Sequence, residues 1–180
     1  MAIIPVLCPI SPHEIKIYGL ESQETSVTSN PISVVEKIIQ RFHAVEKQMR
    51  HRYNDRETIE IKDEYDVQDL LHGLLKIDFD DVRPEEYTPS YAGASTRVDF
   101  LLKNEKIIIE VKKTRKGLNS KEIGEQLIID IARYKSHPDC ETLICFVYDP
   151  EERVANPVGL ESDLERNTSD IKVKVIISPK

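Results

Sequence analysis

The sequence predicts an α/β fold, in which a mixed central β-sheet is flanked by helices and an additional long helix lies near the N-terminus. Three stretches carry apolar residues every three or four positions, the spacing of one helix face; they cover residues 33–52, 63–77 and 120–136. Four short apolar runs are typical of buried strands; they lie near residues 98–102, 107–111, 142–149 and 171–178. Because helices separate the last strands, a sheet of mixed strand direction is expected.

The N-terminal residues carry little structural information. Residues 1–10 are apolar, but they contain two prolines, lack the basic start of a secretory signal and are too short to cross a bilayer. The three cysteines, Cys8, Cys140 and Cys145, are odd in number and form no C-x-x-C pair. We therefore expect a cytoplasmic protein with reduced thiols, no zinc site and no contact with a membrane.

The first helical stretch follows a polar loop. Ser33 and Glu36 have the spacing of a capping box, with Pro31 just ahead. A narrow apolar stripe follows, formed by Val35, Ile38, Phe42, Val45 and Met49. Such a stripe packs either on the rest of the chain or on a second copy. We expect two parts: residues 1–58, an arm with this long helix, and residues 59–180, the main domain.

The second helical stretch, residues 63–77, has leucines on its buried face and several acids, among them Glu64 and Asp69. The next segment, from Phe79 to about residue 89, is predicted as the first strand of the sheet. It leads into a loop of small residues, PSYAGAS, where the backbone can approach a ligand closely.

The segment from Arg97 to Gly117 contains the candidate site. Side chains alternate along a strand, so Glu110 and Lys112 point to one face. Two charges inside a β-branched run are costly unless they are paired or bind an ion. A turn near residues 103–105 would bring Asp99 beside them. Carboxylates without His or Cys suit Mg²⁺; the alternative is a surface hairpin on which Glu110 and Lys112 form an ion pair of little value.

The last predicted helix, residues 120–136, carries Gln126, Asp130 and Arg133 on one face, while Tyr134 belongs to its apolar stripe. The run at 142–149 reads as a buried strand. The run at 171–178 alternates at first, which suits a strand near the sheet edge.

Charge is distributed unevenly along the chain. The net charge is −7, which argues against indiscriminate binding of nucleic acid. Residues 97–121 nevertheless carry eight basic and three acidic side chains. A basic segment on an acidic body would attract a polyanion to one place, in a salt-dependent manner; the alternative is an ordinary solvated lysine cluster.

Asp99 followed by Glu110-Val111-Lys112 on the next strand resembles the PD-(D/E)XK nuclease superfamily, in its restriction-endonuclease-like branch. Val98 stands where the family often has Pro. The resemblance implies a restriction-endonuclease-like core over residues 59–180. It also implies a Mg²⁺ site, with Mn²⁺ as a substitute, formed by Asp99, Glu110 and the Val111 carbonyl. In this family the preceding helix can add an acid, here Glu64 or Asp69, of which we favour Asp69.

The resemblance also implies roles for other side chains. Lys112 would orient or activate the attacking water, and Gln126 matches a glutamine that the family often has on this helix. The candidate contacts with nucleic acid are Arg97, Lys113, Arg115, Lys116, Lys121, Ser95 and Thr96. Because the first helix lies outside the usual core of the superfamily, we favour its use in a homodimer.

The function that follows is a Mg²⁺-dependent endonuclease that hydrolyses double-stranded DNA, as a restriction or phage-defence effector. Nothing in the sequence reads bases, so a partner protein is a candidate for target recognition. Two alternatives stay open: a structure-selective repair or Holliday-junction nuclease, and a non-catalytic DNA-binding or oligomerisation module built on a nuclease core.

Overall fold

The sheet has five strands in the order β1-β2-β3-β4-β5. A computed structural model describes residues 30–87, 97–118, 120–166 and 170–180. Its strands are β1 (Val82–Pro84), β2 (Phe100–Leu102), β3 (Ile107–Lys113), β4 (Thr142–Tyr148) and β5 (Lys172–Ser178). The first three strands are antiparallel and the last three parallel, so the predicted mixed sheet is confirmed. As expected, β5 lies at an edge.

The hairpin β2–β3 sets the geometry of the candidate site. Its turn spans residues 103–106, close to the predicted position, and Lys106 takes a positive φ of 53° there. Phe100 pairs with Ile109, so the next positions on the two strands are Asp99 and Glu110. Residues directly opposite each other in an antiparallel pair point to the same face. The turn therefore places both carboxylates on one side of the sheet.

Helices cover both faces of this sheet. The helices are α1 (Pro31–Arg50), α2 (Glu64–Leu75), α3 (Ser120–Tyr134) and α4 (Pro157–Arg166), with a short 3-10 turn at Tyr53–Asp55. Helices α1 and α2 pack with Ile109 and Val111 of β3 on one face, while α3 and α4 pack with Ile108 on the other. The strand β3 is thus buried on both faces, as its β-branched run predicts.

The structure corrects two expectations about α1. The helix begins at Pro31 and is capped by Asn30, whose side chain accepts a hydrogen bond from the Ile32 N–H at 3.1 Å, so Ser33 is not the cap. Proline suits the first helical position because its missing N–H would have no partner there. Second, the buried side of the helix packs within the chain: Phe42 lies 5.3 Å from Phe146, ring centre to ring centre.

The buried side of α1 is therefore already covered. Val35, Ile39 and Phe42 are fully buried with the sheet, whereas Ile38, Val45 and Met49 lie at the border of the contact. Pairing of two copies through Val35 and Phe42 would require these side chains to leave the core, and the homodimer stays a prediction. The expected boundary near residue 58 stays a prediction. In the structure, α1 shares one core with α2 and the sheet.

Two further expectations concern contact with a membrane and the state of the cysteines. No helix in the described ranges is long and apolar enough to cross a membrane. Cys140 and Cys145 are buried free thiols. Burial raises the pKa of Cys140 to about 12, so this thiol is inert rather than reactive.

Candidate active site

The site begins with two carboxylates on neighbouring strands. Asp99 lies just before β2, and its Oδ2 accepts a hydrogen bond from the Val111 N–H at 2.7 Å. This bond crosses from one strand of the hairpin to the other and fixes Asp99 beside the Glu110–Lys112 segment. The turn and the register, both of which are local features, therefore assemble the predicted pair.

Glu110 is almost completely buried, with 5% of its surface exposed. One of its carboxylate oxygens, Oε1, forms an ion pair with Lys112, and the other, Oε2, accepts a hydrogen bond from the Tyr134 hydroxyl at 2.7 Å. Both oxygens thus have protein partners. A buried carboxylate requires such partners, since an unpaired charge in a core is very costly.

Lys112 lies among several acids. Besides Glu110, its Nζ lies 3.6 Å from Asp130 Oδ2 and 3.8 Å from Glu64 Oε1. With Asp99 nearby, four carboxyl groups surround one ammonium group. The site therefore has an excess of negative charge.

Burial and the neighbouring acids together shift the pKa values of this site. Burial raises the pKa of Glu110 to about 8, and the neighbouring Asp99 adds to the rise. Burial also raises the pKa of Asp99 to about 6, against the hydrogen bond from Val111 that lowers it. Burial disfavours the charged form of Lys112, but the surrounding acids outweigh this effect and raise its pKa, so the side chain is an ammonium ion. The two carboxylates would gain most from an added cation.

Glu64, Asp99 and Lys112 line a cleft of about 570 Å³. The cleft is formed by the start of α2, the end of β3, the segment before β2 and α3. Its charged lining residues are Lys62, Asp63, Glu64, Glu85, Arg97, Asp99, Lys112, Lys113 and Arg115. A substrate in this cleft would therefore contact Asp99 and Lys112 directly, and basic side chains lie around them.

The two acids of α2 that are candidates for the metal site, Glu64 and Asp69, have different surroundings. Asp63 caps this helix in a capping box with Asp66, which fixes Glu64 in the first turn. Glu64 Oε2 accepts a hydrogen bond from the Lys113 N–H at 3.3 Å, in addition to its contact with Lys112. Asp69 is exposed and lines an adjoining cleft of about 280 Å³ that also borders Asp99. Five positions along a helix turn the side chain by about 140°, so the two acids cannot serve one point.

Helix α3 supplies two residues that sequence reasoning missed. Gln126 lines the cleft and is exposed, and its role stays a prediction. The close contacts come from Asp130 and Tyr134. Burial and the adjacent Glu110 raise the pKa of Tyr134, so its hydroxyl keeps the proton that it donates. The signal was present: Gln126, Asp130 and Tyr134 follow each other at steps of four, which places them in one row along a helix.

The predicted contacts with nucleic acid differ in accessibility. Arg115, Lys116 and Lys121 are exposed, and Arg115 lines the cleft. Arg97 donates hydrogen bonds to Glu85 at 2.9 Å and to Tyr87 at 2.6 Å, and half of its side chain is exposed.

The remaining predicted contacts are Lys113, Ser95 and Thr96. The Lys113 side chain is only 9% exposed, and its ammonium group contacts the Thr114 carbonyl at 3.3 Å. Lys113 is therefore turned towards the protein and is the least accessible of the basic candidates. Ser95 and Thr96 lie outside the described residues.

The same contacts bear on metal ligation. Among the described residues, no group of three or more His, Cys, Asp or Glu side chains is arranged to hold a metal ion. The contacts explain this: Asp99 is directed to the Val111 N–H, and Glu110 to Lys112 and Tyr134. The candidate ligands are close together and rich in oxygen, and each is held by a protein donor.

Comparison with known proteins identifies the family. A sequence model of the DpnII-MboI restriction endonuclease family (REase_DpnII-MboI) matches residues 33–180, from the first turn of α1 onward. This helix therefore lies within the family region rather than outside it. No curated protein and no solved structure matches the chain. The matched region contains the mixed sheet, Asp99 and the Glu110-Val111-Lys112 motif. The chain belongs to the DpnII-MboI restriction endonuclease family, of the PD-(D/E)XK type, which implies a nuclease whose substrate is DNA.

Proposed function

We propose that the protein is a Mg²⁺-dependent endonuclease that hydrolyses phosphodiester bonds of double-stranded DNA. The observation that carries this proposal is the position of Lys112, an ammonium group held in an open cleft between the carboxylates of Glu110, Asp130 and Glu64. A structural ion pair requires one acid for one base. Here the acids are in excess, which supports a role for an added cation.

The donors present fit a divalent cation with a preference for oxygen. Asp99 and Glu110 would hold it, together with the Val111 carbonyl and Glu64, whereas Asp69 is less suited because it is exposed on a different side of α2. The raised pKa values of Asp99 and Glu110 support this choice, since a bound cation would stabilise their ionised forms. When bound, Mg²⁺ supplies Lewis acidity, which activates water and offsets charge on the phosphate.

Lys112 would act on the reacting phosphate. Its ammonium group is kept charged by the acids around it and lines the cleft. A fixed cation that donates hydrogen bonds towards a phosphate oxygen stabilises the charge that develops there, and it orients a nearby water. The exposed Gln126 at the same cleft would contact the substrate rather than the cation.

DNA would be held mainly by the exposed basic side chains near the cleft. Arg115, Lys116 and Lys121 are suited to phosphate contacts, and Arg97 would need to share its guanidinium with Glu85. These contacts predict strongly salt-dependent binding without base specificity of their own. Target recognition by a partner protein therefore stays part of the proposal.

The biological role that follows is restriction or phage defence in the cytoplasm. A homodimer is also proposed, since a double-strand break requires two sites. It would have to form through a surface other than the buried side of α1. Size measurement of the full chain with and without DNA tests this part.

The test of the function is DNA cleavage with purified full-length protein. Cleavage is expected with Mg²⁺ and Mn²⁺ and should stop with a chelator or in Lys112→Ala. The matched control is Lys106→Ala, which removes a half-exposed lysine that pairs with Glu141 at the opposite end of β3. Cleavage that survives in Lys112→Ala would exclude the mechanism.

The same assay separates the alternatives. Sequencing of the cleaved ends should give a fixed motif for restriction. A preference for branched over linear duplex would favour a structure-selective nuclease. Binding without any cleavage in Mg²⁺ or Mn²⁺ would favour the non-catalytic module.

A further inference from the structure

Asp130 is a buried acid that the proposed chemistry does not use. Only 7% of its surface is exposed, and its carboxylate faces two cations: Lys112 Nζ at 3.6 Å and Arg133 Nη1 at 3.5 Å. Both distances are longer than a charge-assisted hydrogen bond, which measures about 2.7–2.9 Å. Asp130 is therefore close to Lys112 without being its first partner.

The first partner of Lys112 is a candidate metal ligand. Glu110 pairs with Lys112 through Oε1, while Oε2 is occupied by the Tyr134 hydroxyl at 2.7 Å. Glu110 cannot hold an ammonium group and a divalent cation through the same oxygen at full strength, because the two positive charges repel each other. If Glu110 turns to a cation, Lys112 loses its closest partner inside a mostly buried site.

Two acids are near enough to replace Glu110 as the partner of Lys112. Glu64 lies at 3.8 Å, but its side chain is 38% exposed and its other oxygen accepts from the Lys113 N–H. Asp130 is closer and more deeply buried, and a shift of about 1 Å would give a normal hydrogen bond. Asp130 also lies outside the set of proposed metal ligands.

We propose that Asp130 is a positioning residue that takes over Lys112 when Glu110 binds the divalent cation. The ion pair then changes from Glu110–Lys112 to Asp130–Lys112, so the ammonium group stays ordered while the carboxylate becomes free to bind. This inference rests on the proposed metal-dependent function and adds a residue that acts through Lys112.

The exchange predicts that Asp130 affects Mg²⁺ binding only through Lys112. Calorimetric titration of the full-length protein with Mg²⁺ measures this in the absence of DNA. Asp130→Asn should weaken Mg²⁺ binding about tenfold, the size of effect expected for contacting charged residues. The same change in a Lys112→Ala background should have little effect, because no ammonium group then competes for Glu110.

Matched variants separate this role from a structural one. Arg133→Gln removes the other cation that faces Asp130 and should not weaken Mg²⁺ binding. Asp130→Glu keeps the charge and should restore most of the affinity. Melting temperatures verify that each variant is folded, and Asp130→Ser replaces Asp130→Asn if the latter is not.

Two results would overturn the exchange. An equal loss of affinity in the Lys112→Ala background would make Asp130 a direct contributor to the metal site, and unchanged affinity in both neutral variants would remove its role altogether. Asp99→Asn distinguishes the failure of the proposed function: if it binds Mg²⁺ like the natural protein, the metal site itself is misplaced.

Discussion

Two charge clusters in the described part of the chain differ in composition. The active-site cluster groups the acids Glu64, Asp99, Glu110 and Asp130 around Lys112, and the half-exposed Arg133 is a second cation beside Asp130. The α1 cluster, on the other face of the sheet, is formed by His43, Glu46, Arg50 and Tyr148.

The α1 cluster contains one acid for one permanent base. Glu46 is fully buried and pairs with Arg50, and His43 Nδ1 lies 2.8 Å from the Tyr148 hydroxyl. It links a helix to a strand without opening into the active-site cleft. The α1 cluster thus balances one acid with one permanent base, although Glu46 Oε2 is buried without a hydrogen-bond partner among the described residues. The active-site cluster, in contrast, has an excess of acids that an external cation would offset. The predictions below test this difference.

The largest expected effect is at Asp99, where a substitution should lower DNA cleavage without lowering stability. Asp99→Asn removes one of two like charges but retains an oxygen that can accept the hydrogen bond from the Val111 N–H. We expect DNA cleavage to fall by roughly 10³-fold, the scale of losing a principal charged group of an active site. Stability without metal should stay the same or rise, because Glu110 loses a repelling neighbour. A marked drop in the free energy of unfolding would place Asp99 with the structural residues.

The α1 cluster should show the opposite behaviour. Arg50→Ala leaves the buried Glu46 carboxylate without its permanent cation and should cost about 3 kcal/mol in urea unfolding. The activity of the folded fraction should not change. Arg41→Ala, which removes an exposed arginine of the same helix, is the control and should cost little. Equal stabilities of the two variants would mean that Glu46 does not depend on Arg50.

These two clusters also show what could be predicted from sequence. Asp99, Glu110 and Lys112 come from one hairpin, whose turn and alternation are local, and so they could be recognised together. Glu64 and Asp130 join them only through the packing of α2 and α3 on the sheet. Sequence spacing indicates on which face of a helix a residue lies, but not where that residue lies over a strand. Spacing alone therefore does not decide between Asp69 and Glu64.

The same limit applies to α1. Its apolar stripe was recognised, but a stripe alone does not indicate whether it packs on its own chain or on another copy. The apolar runs, by contrast, sufficed for the strands, and the helices between the last strands indicated the mixed strand directions. Local patterns therefore gave the elements and the hairpin, while the contacts between helices and sheet required the structure.

Two buried tyrosines give a matched pair with a smaller expected effect. Tyr134 donates to Glu110 in the active-site cluster, and Tyr148 contacts His43 in the α1 cluster. Tyr134→Phe should lower cleavage or metal affinity by about 10–100-fold, as is typical when a residue that orients a metal ligand is changed. Tyr148→Phe should leave cleavage intact and cost about 1 kcal/mol of stability. Similar kinetic losses in both variants would contradict an orienting role for Tyr134.

The smallest expected effect is the pH dependence of stability without metal. In the folded protein, burial raises the pKa of Asp99 to about 6 and that of Glu110 to about 8, above their ordinary values of 3.8 and 4.5. The folded state then binds more protons than the unfolded state between these limits, so the contribution of the pair is fully present below about pH 4. It is lost as the pH rises towards 8.

This contribution can be isolated by comparing variants. We expect the melting temperature without metal to fall by several degrees between pH 6 and pH 8, since each kcal/mol corresponds to about 2–4 °C in a protein of this size. The fall should be smaller in Glu110→Gln, in which residue 110 does not titrate. Mg²⁺ should counteract the fall at pH 8, where Asp99 is ionised and Glu110 is about half ionised. Arg50→Ala, in which the active-site acids are unchanged, should retain the slope of the natural protein. If the melting temperature of Glu110→Gln falls with the same slope, the pH dependence arises from groups outside the active-site cluster.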